Sequence, residues 1–377
     1  MISFSRNSRS ALANWWWTVD KPLLIMIGII IAIGAFLSFS ASPAVANRIG
    51  QGSFHFIKKQ FIFLPVAIGG MLFLSMLSLK SIRRIAVIGY VLTVILMIVT
   101  LFWGAEVKGA HRWISLGFFS LQPSEFVKPT FVVVAAWLFE GQRRYQDFPG
   151  YTLSICLFLF TLLLLVLQPD IGMSIVVTLI WGFQFFLAGL PWWIVIGLGF
   201  LGIAAFCGAY FIFPHMQVRF QQYLAGENNL SYQVKKSLEA FENGNLFGVG
   251  PGEGVVKMHI PDAHTDFIFA VAAEEYGMIL CLIIVGLYAA IVIRSLMISS
   301  KDNNLFIILA SSGLAASFGL QSLINLGSTM HIIPTKGMAL PLISYGGSSL
   351  LGVAVGMGML LAITRKNVHA EEKDEDY

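Results

Sequence analysis

The chain has 377 residues, 57% of them hydrophobic and only 12% charged, with 24 basic against 20 acidic residues and a formal charge of +4. Soluble domains carry about 25% charged residues, so the composition excludes a soluble enzyme. The small positive balance gives no basic field of the kind that holds nucleic acid.

Apolar runs of about 20 residues, the length that crosses a bilayer, recur near 23–41, 60–79, 85–103, 124–139, 151–167, 170–187, 191–213, 266–293, 305–327 and 345–364. They predict an all-α, polytopic integral membrane protein of about ten transmembrane helices, forming a single domain over 1–377. A cytoplasmic N-terminal segment (1–22), one long extracytoplasmic segment (214–265) and a cytoplasmic acidic tail (365–377) complete it. The first run follows Arg6, Arg9 and Lys21 without a small-residue cleavage pattern, so it reads as a span and not a removable signal. Cys156, Cys207 and Cys281 all fall within spans and imply no disulfide framework.

In chain order, "NWWWTVDKP" sets three indoles just before the first span, as a headgroup-level anchor does. "KGAHRWISLGFFSLQPSEFVKP" (108–129) ends in a helix start, with Pro123 suited to the first turn and Glu125 and Lys128 three apart on one face. "QPD" (168–170) places Asp170 at the mouth of the sixth span. Glu125 with Lys128 reads equally as a structural ion pair, and Asp170 as an N-cap. Together at span ends they weigh more, because ionisable residues in spans usually face a cavity.

Within the long segment, "SYQVKKSLEAF" spaces Val234, Leu238 and Phe241 as an amphipathic helix suited to a membrane surface. Glycines 244, 248, 250, 252 and 254 follow, either as a flexible connector or as a loop that brings backbone close to a ligand. "PDAHTDFIFAVAAEEYG" (261–277) then puts Asp262, His264 and Asp266 where this segment meets the eighth span. On a straight helix Glu274 would lie about 12 Å deeper than Asp266, with Glu275 on the opposite face. Finally, "PTKGMALPLISYGGSSLLGVAVGMG" holds Lys336 between two prolines. Gly352 and Gly356 suit close helix packing, and Gly346, Gly347, Ser348 and Ser349 equally suit the cradling of a phosphate at a helix start.

Loop charges orient the chain. With the N-terminus inside, eleven of the 24 basic residues lie outside, and seven remain once Arg219, Lys235, Lys236 and Lys257 of the long segment are set aside. Both termini are therefore expected in the cytoplasm. The outer cations beside the polar motifs point to an anionic ligand at the outer surface.

In this order, "GAHRWISLGFFSLQPSEFVK", "QPDIGMSI", "GPGEGVVKMHIPDAHTDFIFAVAAEE" and "PTKGMALPLISYGGSSL" resemble the SEDS family (shape, elongation, division and sporulation), most closely its FtsW branch. The resemblance covers nearly the whole chain and implies a ten-span fold that polymerises lipid II into peptidoglycan strands during septal cell-wall synthesis. It implies a bacterial inner-membrane location at the septum, with a class B penicillin-binding protein and other divisome membrane proteins as partners. It assigns the catalytic carboxylate to Asp266 and substrate binding to Arg112, Gln122, Glu125, Lys128, Asp170, Lys336 and Ser344. Asp262 stands where relatives often have Glu, which keeps the charge; His259 stands where some carry an acid.

Forming a β-1,4 bond from an α-linked lipid pyrophosphate inverts the donor's C1, so a base must free the acceptor hydroxyl on the far face. Asp266 suits that role, and Arg112 and Lys128 suit the departing pyrophosphate. A divalent cation, Mg or Mn, is the one cofactor this chemistry invites. Two other readings stay open: a lipid II flippase, favoured by acids at Glu274 and Glu275 part-way down a span, and a non-enzymatic scaffold, which would not need Asp266.

Overall fold

The computed structural model describes residues 10–189 except 49, 51, 53, 108, 109, 116, 118 and 146, then the single positions 197, 200, 208, 211 and 217, and 231–366 except 335. The expected span 191–213, Cys207, Arg219 and most of the acidic tail lie outside the described residues.

The elements are α1 (Ala11–Thr18), α2 (Lys21–Arg48), α3 (His55–Ser75), α4 (Leu79–Trp103), β1 (Ala105–Val107), β2 (Ala110–Ser115), β3 (Ser120–Leu121), α5 (Pro123–Arg144), α6 (Gly150–Leu167), α7 (Ile171–Leu187), α8 (Tyr232–Gly244), α9 (Ile268–Ser299), α10 (Leu305–Thr329) and α11 (Gly347–Ile363). A 3₁₀ turn, Val256–His259, precedes α9. Nine of the ten expected spans coincide with described helices. Among the described residues six helices are long and apolar enough to cross a membrane, while α7 and α11 are shorter apolar helices.

Helix α5 is the hub. It packs on α4, α6, α7, α10 and α11, and its run from Val132 to Ala136 is buried on every face, as a helix that is apolar all round must be. Gly352 of α11 makes this closeness possible, since a Cβ there would lie 2.8 Å from the Glu125 carbonyl oxygen. The small-residue face is thus a packing surface against α5.

The first and last described helices meet near one end of the bundle. The Lys366 amide donates to the Thr18 carbonyl at 2.8 Å, and Arg294 grips Asp20 through two bonds of 2.6 and 2.8 Å. The three indoles divide: Trp15 is buried, with its Nε1 donating to Ser75 Oγ at 2.9 Å, while Trp16 and Trp17 face outward under the Lys21 ammonium.

Three features depart from the expectations. A small antiparallel meander, β1-β2-β3, stands between α4 and α5. Helix α8 docks on protein through its apolar face: its Ser237 Oγ donates to the Thr329 carbonyl at 2.8 Å, and Phe241 packs on Phe269. And α9 breaks at Gly277, whose φ is 73°, so Glu274 and Glu275 belong to a short leg before the transmembrane leg and not to its interior.

That break explains the glycines. The Asn245 and Leu246 carbonyls accept from the Met278 and Ile279 amides, and the Val249 and Gly250 amides donate to the Glu274 and Glu275 carbonyls. The glycine-rich loop supplies the hydrogen bonds that the kink withdraws. Its close approach, at Gly244 and Gly248, is to the backbone of residues 273–276.

Candidate functional site

The site gathers where β2, the starts of α5, α7 and α9, and the segment 330–346 meet. Pro123 opens α5 at a position where the missing amide is harmless. Gln122 caps it from extended backbone, with its amide donating to Ser348 Oγ at 2.9 Å and its side chain to Ser124 Oγ at 3.1 Å. Ser348 in turn donates to the Ser120 carbonyl at 3.0 Å. Its hydroxyl is thereby engaged in stitching the start of α11 to β3 and α5.

Arg112, carried on β2, donates through Nε to the Gln168 carbonyl at 2.9 Å and through Nη2 to the Pro169 carbonyl. Its Nη1 lies 3.7 Å from Asp170 Oδ1, and its side chain keeps 29% of its surface open. Asp170 caps α7 by accepting from the Met173 amide at 3.2 Å. The cap and the ion pair therefore coexist in one carboxylate.

Lys128 is set deeper. Its Nζ is 2.6 Å from both Glu125 Oε2 and Gln321 Oε1, and only 2% of the side chain is exposed. Lys128 is thus an ammonium shared by two acceptors and nearly buried, an internal charge of the cluster.

Lys336 joins the cluster from the other side. A Cβ on Gly172 would fall 1.1 Å from Lys336 Cε, so the lysine stem occupies the space that Gly172 leaves open. Burial pushes its pKa down to about 7, against the raising pull of Asp170 and with the lowering push of Lys128. The next residue, Gly337, has φ of 64° and faces the Asp266 carboxylate, whose Oδ2 would lie 2.9 Å from a Cβ there. One dipeptide therefore separates the cation cluster from the carboxylate.

Asp266 ends a turn before α9 and is partly exposed. Its amide donates to the Asp262 carbonyl at 3.1 Å, and its carbonyl accepts from Asn325 Nδ2 at 2.9 Å. Ser344 donates to the neighbouring Thr265 carbonyl at 2.5 Å and accepts from the Leu340 amide at 2.8 Å. It is buried, and these two bonds fix the turn before Asp266 against the segment 340–344.

Next to Asp266, His264 is sandwiched between Phe56 and Tyr345, with ring centroids 4.1 and 5.3 Å away. Burial lowers its pKa to about 4, opposed by the charge of Asp262. The unfolded chain protonates near 6.5, so it takes up the proton first, and stability is lost as pH falls from about 6.5 towards 4. We expect His264→Phe, which keeps the stack, to flatten the thermal midpoint across that window, as a detergent-solubilised melt at each pH would record.

Behind this turn, the Glu274 carboxylate accepts from the Val256 and Lys257 amides, both at 2.7 Å, and from Asn243 Nδ2 at 3.0 Å. Lys257 pairs with Glu275. The segment bearing Asp266 is thereby clamped at its start by carboxylates that follow it in sequence.

Asn325, Gln321 and Gly337 escaped the sequence reading. Two amide side chains four apart in an otherwise apolar run were the available signal. Among the described residues no three of His, Cys, Asp and Glu converge as metal ligands. Glu125 and Asp170 each face a cation of the protein, Lys128 and Arg112, which leaves Asp266 as the partly open carboxylate of the cluster.

The sequence profile of the FtsW/RodA/SpoVE cell cycle proteins matches residues 21–369. The probable peptidoglycan glycosyltransferase FtsW of Caulobacter vibrioides is 42% identical over 97% of this chain and 94% of its own length. Its counterpart in Coxiella burnetii is 34% identical over 92% and 96%. A chain of a peptidoglycan synthase complex superposes with a TM-score of 0.76 at 28% identity, covering 93% of this chain and 98% of that one. The crystal structure of the Thermus thermophilus rod shape determining protein RodA does so at 0.69 and 28%, covering 93% and 97%. A match of this extent, on a multi-pass helical bundle with the polar cluster just described, makes the chain a member of the FtsW/RodA/SpoVE cell cycle protein family.

Proposed function

We propose that the chain is a peptidoglycan glycosyltransferase that polymerises lipid II at the outer face of the bacterial cytoplasmic membrane, at the division septum and beside a class B penicillin-binding protein, with both termini in the cytoplasm. The observation that carries the mechanism is the pairing across Gly337: a partly open carboxylate, Asp266, on one side and a partly open cation cluster on the other.

In the reaction Asp266 takes the proton from the acceptor's 4-hydroxyl, the oxygen attacks the donor's C1 from the face opposite the leaving group, and the C1–O bond to undecaprenyl pyrophosphate breaks with inversion. Arg112 and Lys336 stabilise the charge that collects on the pyrophosphate. Asp170 pairs with Arg112 and draws on Lys336, while Glu125 and Lys128 set the local field. Gln122 fixes the start of α5 beside Ser348.

The flippase reading loses its motive. Glu274 is occupied by three donors and Glu275 by Lys257, all from residues 243–257, so neither lines a route through the bundle. The deciding experiment is polymerisation of purified lipid II by the reconstituted protein, with and without a class B penicillin-binding protein; no glycan strands in either case would sink the reading.

Lys336 gives the reaction a pH signature. Its ammonium is present below about 7 and lost above it in the free protein, so kcat/KM is expected to fall through that region. A bound pyrophosphate raises the lysine's pKa and moves the fall in kcat to higher pH. Lys336→Arg should shift the kcat/KM limb upward, whereas an unchanged limb would remove Lys336 from the site. Gly172→Ala, which evicts the lysine stem without touching its charge, is expected to raise KM in the same assay.

A further inference from the structure

The loop that wraps the α9 kink carries its two largest apolar side chains on the outside: Leu246 is 61% and Phe247 79% exposed. Its depth follows from α9. Arg294, clasped to Asp20 beside Lys21, Trp16 and Trp17, marks one boundary of the hydrocarbon. Met278 lies sixteen residues earlier on the transmembrane leg, about 24 Å away at 1.5 Å per residue. A hydrocarbon core of about 30 Å extends beyond that point. The carbonyls of Asn245 and Leu246, bonded to the Met278 and Ile279 amides, therefore sit inside the opposite leaflet and not in water.

Two independent features fit that depth. Part of the loop's backbone is paired within the protein: Gly248 donates to the Gly244 carbonyl at 2.7 Å, Val249 to Glu274 at 2.9 Å and Gly250 to Glu275 at 3.0 Å, and the Asn245 and Leu246 carbonyls accept from α9. Irregular backbone at membrane depth requires such pairing. And the exposed side chains continue an apolar wall on α9, where Leu282 is 63% exposed and Ile279 and Ile283 are exposed too. An outward-facing apolar pair that extends such a wall marks an interaction surface.

We propose that residues 245–249 form a lipid-inserted loop, with Leu246 and Phe247 among the acyl chains of the outer leaflet. The long extracytoplasmic segment thus returns into the bilayer and grips the α9 kink from its lipid side. The inference goes beyond the polymerase reading and stands without it.

The test places a nitroxide at Phe247→Cys or Leu246→Cys in the full chain with Cys156, Cys207 and Cys281 changed to Ser, reconstituted in phosphatidylcholine–phosphatidylglycerol nanodiscs. Collision with oxygen and with a water-soluble nickel chelate is measured, with labels at Glu253→Cys and Leu282→Cys as aqueous and lipid references. Lipid insertion gives an oxygen-to-nickel ratio at 246 and 247 several-fold above that at 253 and close to that at 282. A ratio equal to that at 253 overturns the proposal, and so does a label closed to both reagents, as a protein-covered site would be. Should the cysteine-free chain fail to fold, Phe247→Trp in the wild-type background reads the same depth: its added fluorescence must be quenched by brominated lipid more than by acrylamide, and the reverse order overturns the inference.

Discussion

Asp266→Asn is expected to fold, insert and bind lipid II as the wild type does, and to polymerise about 10²- to 10⁴-fold more slowly, the usual loss when a general base is removed. The substitution preserves shape, and the backbone anchors of the turn, to Asp262 and Asn325, do not involve the carboxylate. Asp266→Ala would be a poorer probe, since it also empties the space that faces Gly337. Strand formation from purified lipid II, followed on gels against a thermal melt of the same sample, separates loss of chemistry from loss of fold. A near-normal rate would overturn the assignment of the base.

Gly248→Ala should be among the most damaging single substitutions outside the cleft. The residue has φ of 80°, and an added Cβ would lie 2.2 Å from the Glu275 carbonyl oxygen and 2.5 Å from the Tyr276 amide. Neither backbone atom can swing aside as a side chain would. The left-handed conformation costs about 1–2 kcal/mol for an L-residue, and overpacking adds about 1–3 kcal/mol. Gly252→Ala is the control: φ there is also positive, at 83°, but nothing lies within 4 Å of the new atom. Its melt in detergent should drop by the conformational part alone. Equal drops for both variants would show that the loop does not seat against the kink.

The bundle was legible because its signal is long: about 20 apolar residues in a row have one physical explanation. The cleft was legible through charged residues set in such text, and Arg112, Asp170, Lys128 and Lys336 do converge, as the mutual influence of their charges on Lys336 records. Depth was less legible. Ser344 and Lys128 lie in stretches that read as lining, and only the fold reveals that Thr265 and Leu340 engage one, and Glu125 and Gln321 the other. The sheet was hidden because six residues of "AHRWIS" alternate too briefly to be told from an irregular loop.

The hardest feature to foresee was Gly277. A lone glycine in an apolar helix reads as tight packing, and nothing local announces a break there. The reason for it lies some thirty residues earlier, at Leu246 and Gly248, whose backbone atoms would stand within 2.5 Å of any Cβ. Missing it put Glu274 and Glu275 too deep and kept the flippase reading open.

The cleft is built from parts of the chain made far apart in time. The Gln122–Ser348 and Lys128–Gln321 bonds span 226 and 193 residues. At about 5–20 residues per second of synthesis, α5 is complete for roughly 10–45 s before its last partner emerges. Glu125 and Lys128, one helical turn apart, pair within α5 itself, a bond that needs no later segment and spares lipid a lone charge. A chain with Lys128→Met would thus be tested first on the ribosome, by how well α5 enters the membrane, and only later by what the finished cleft can do.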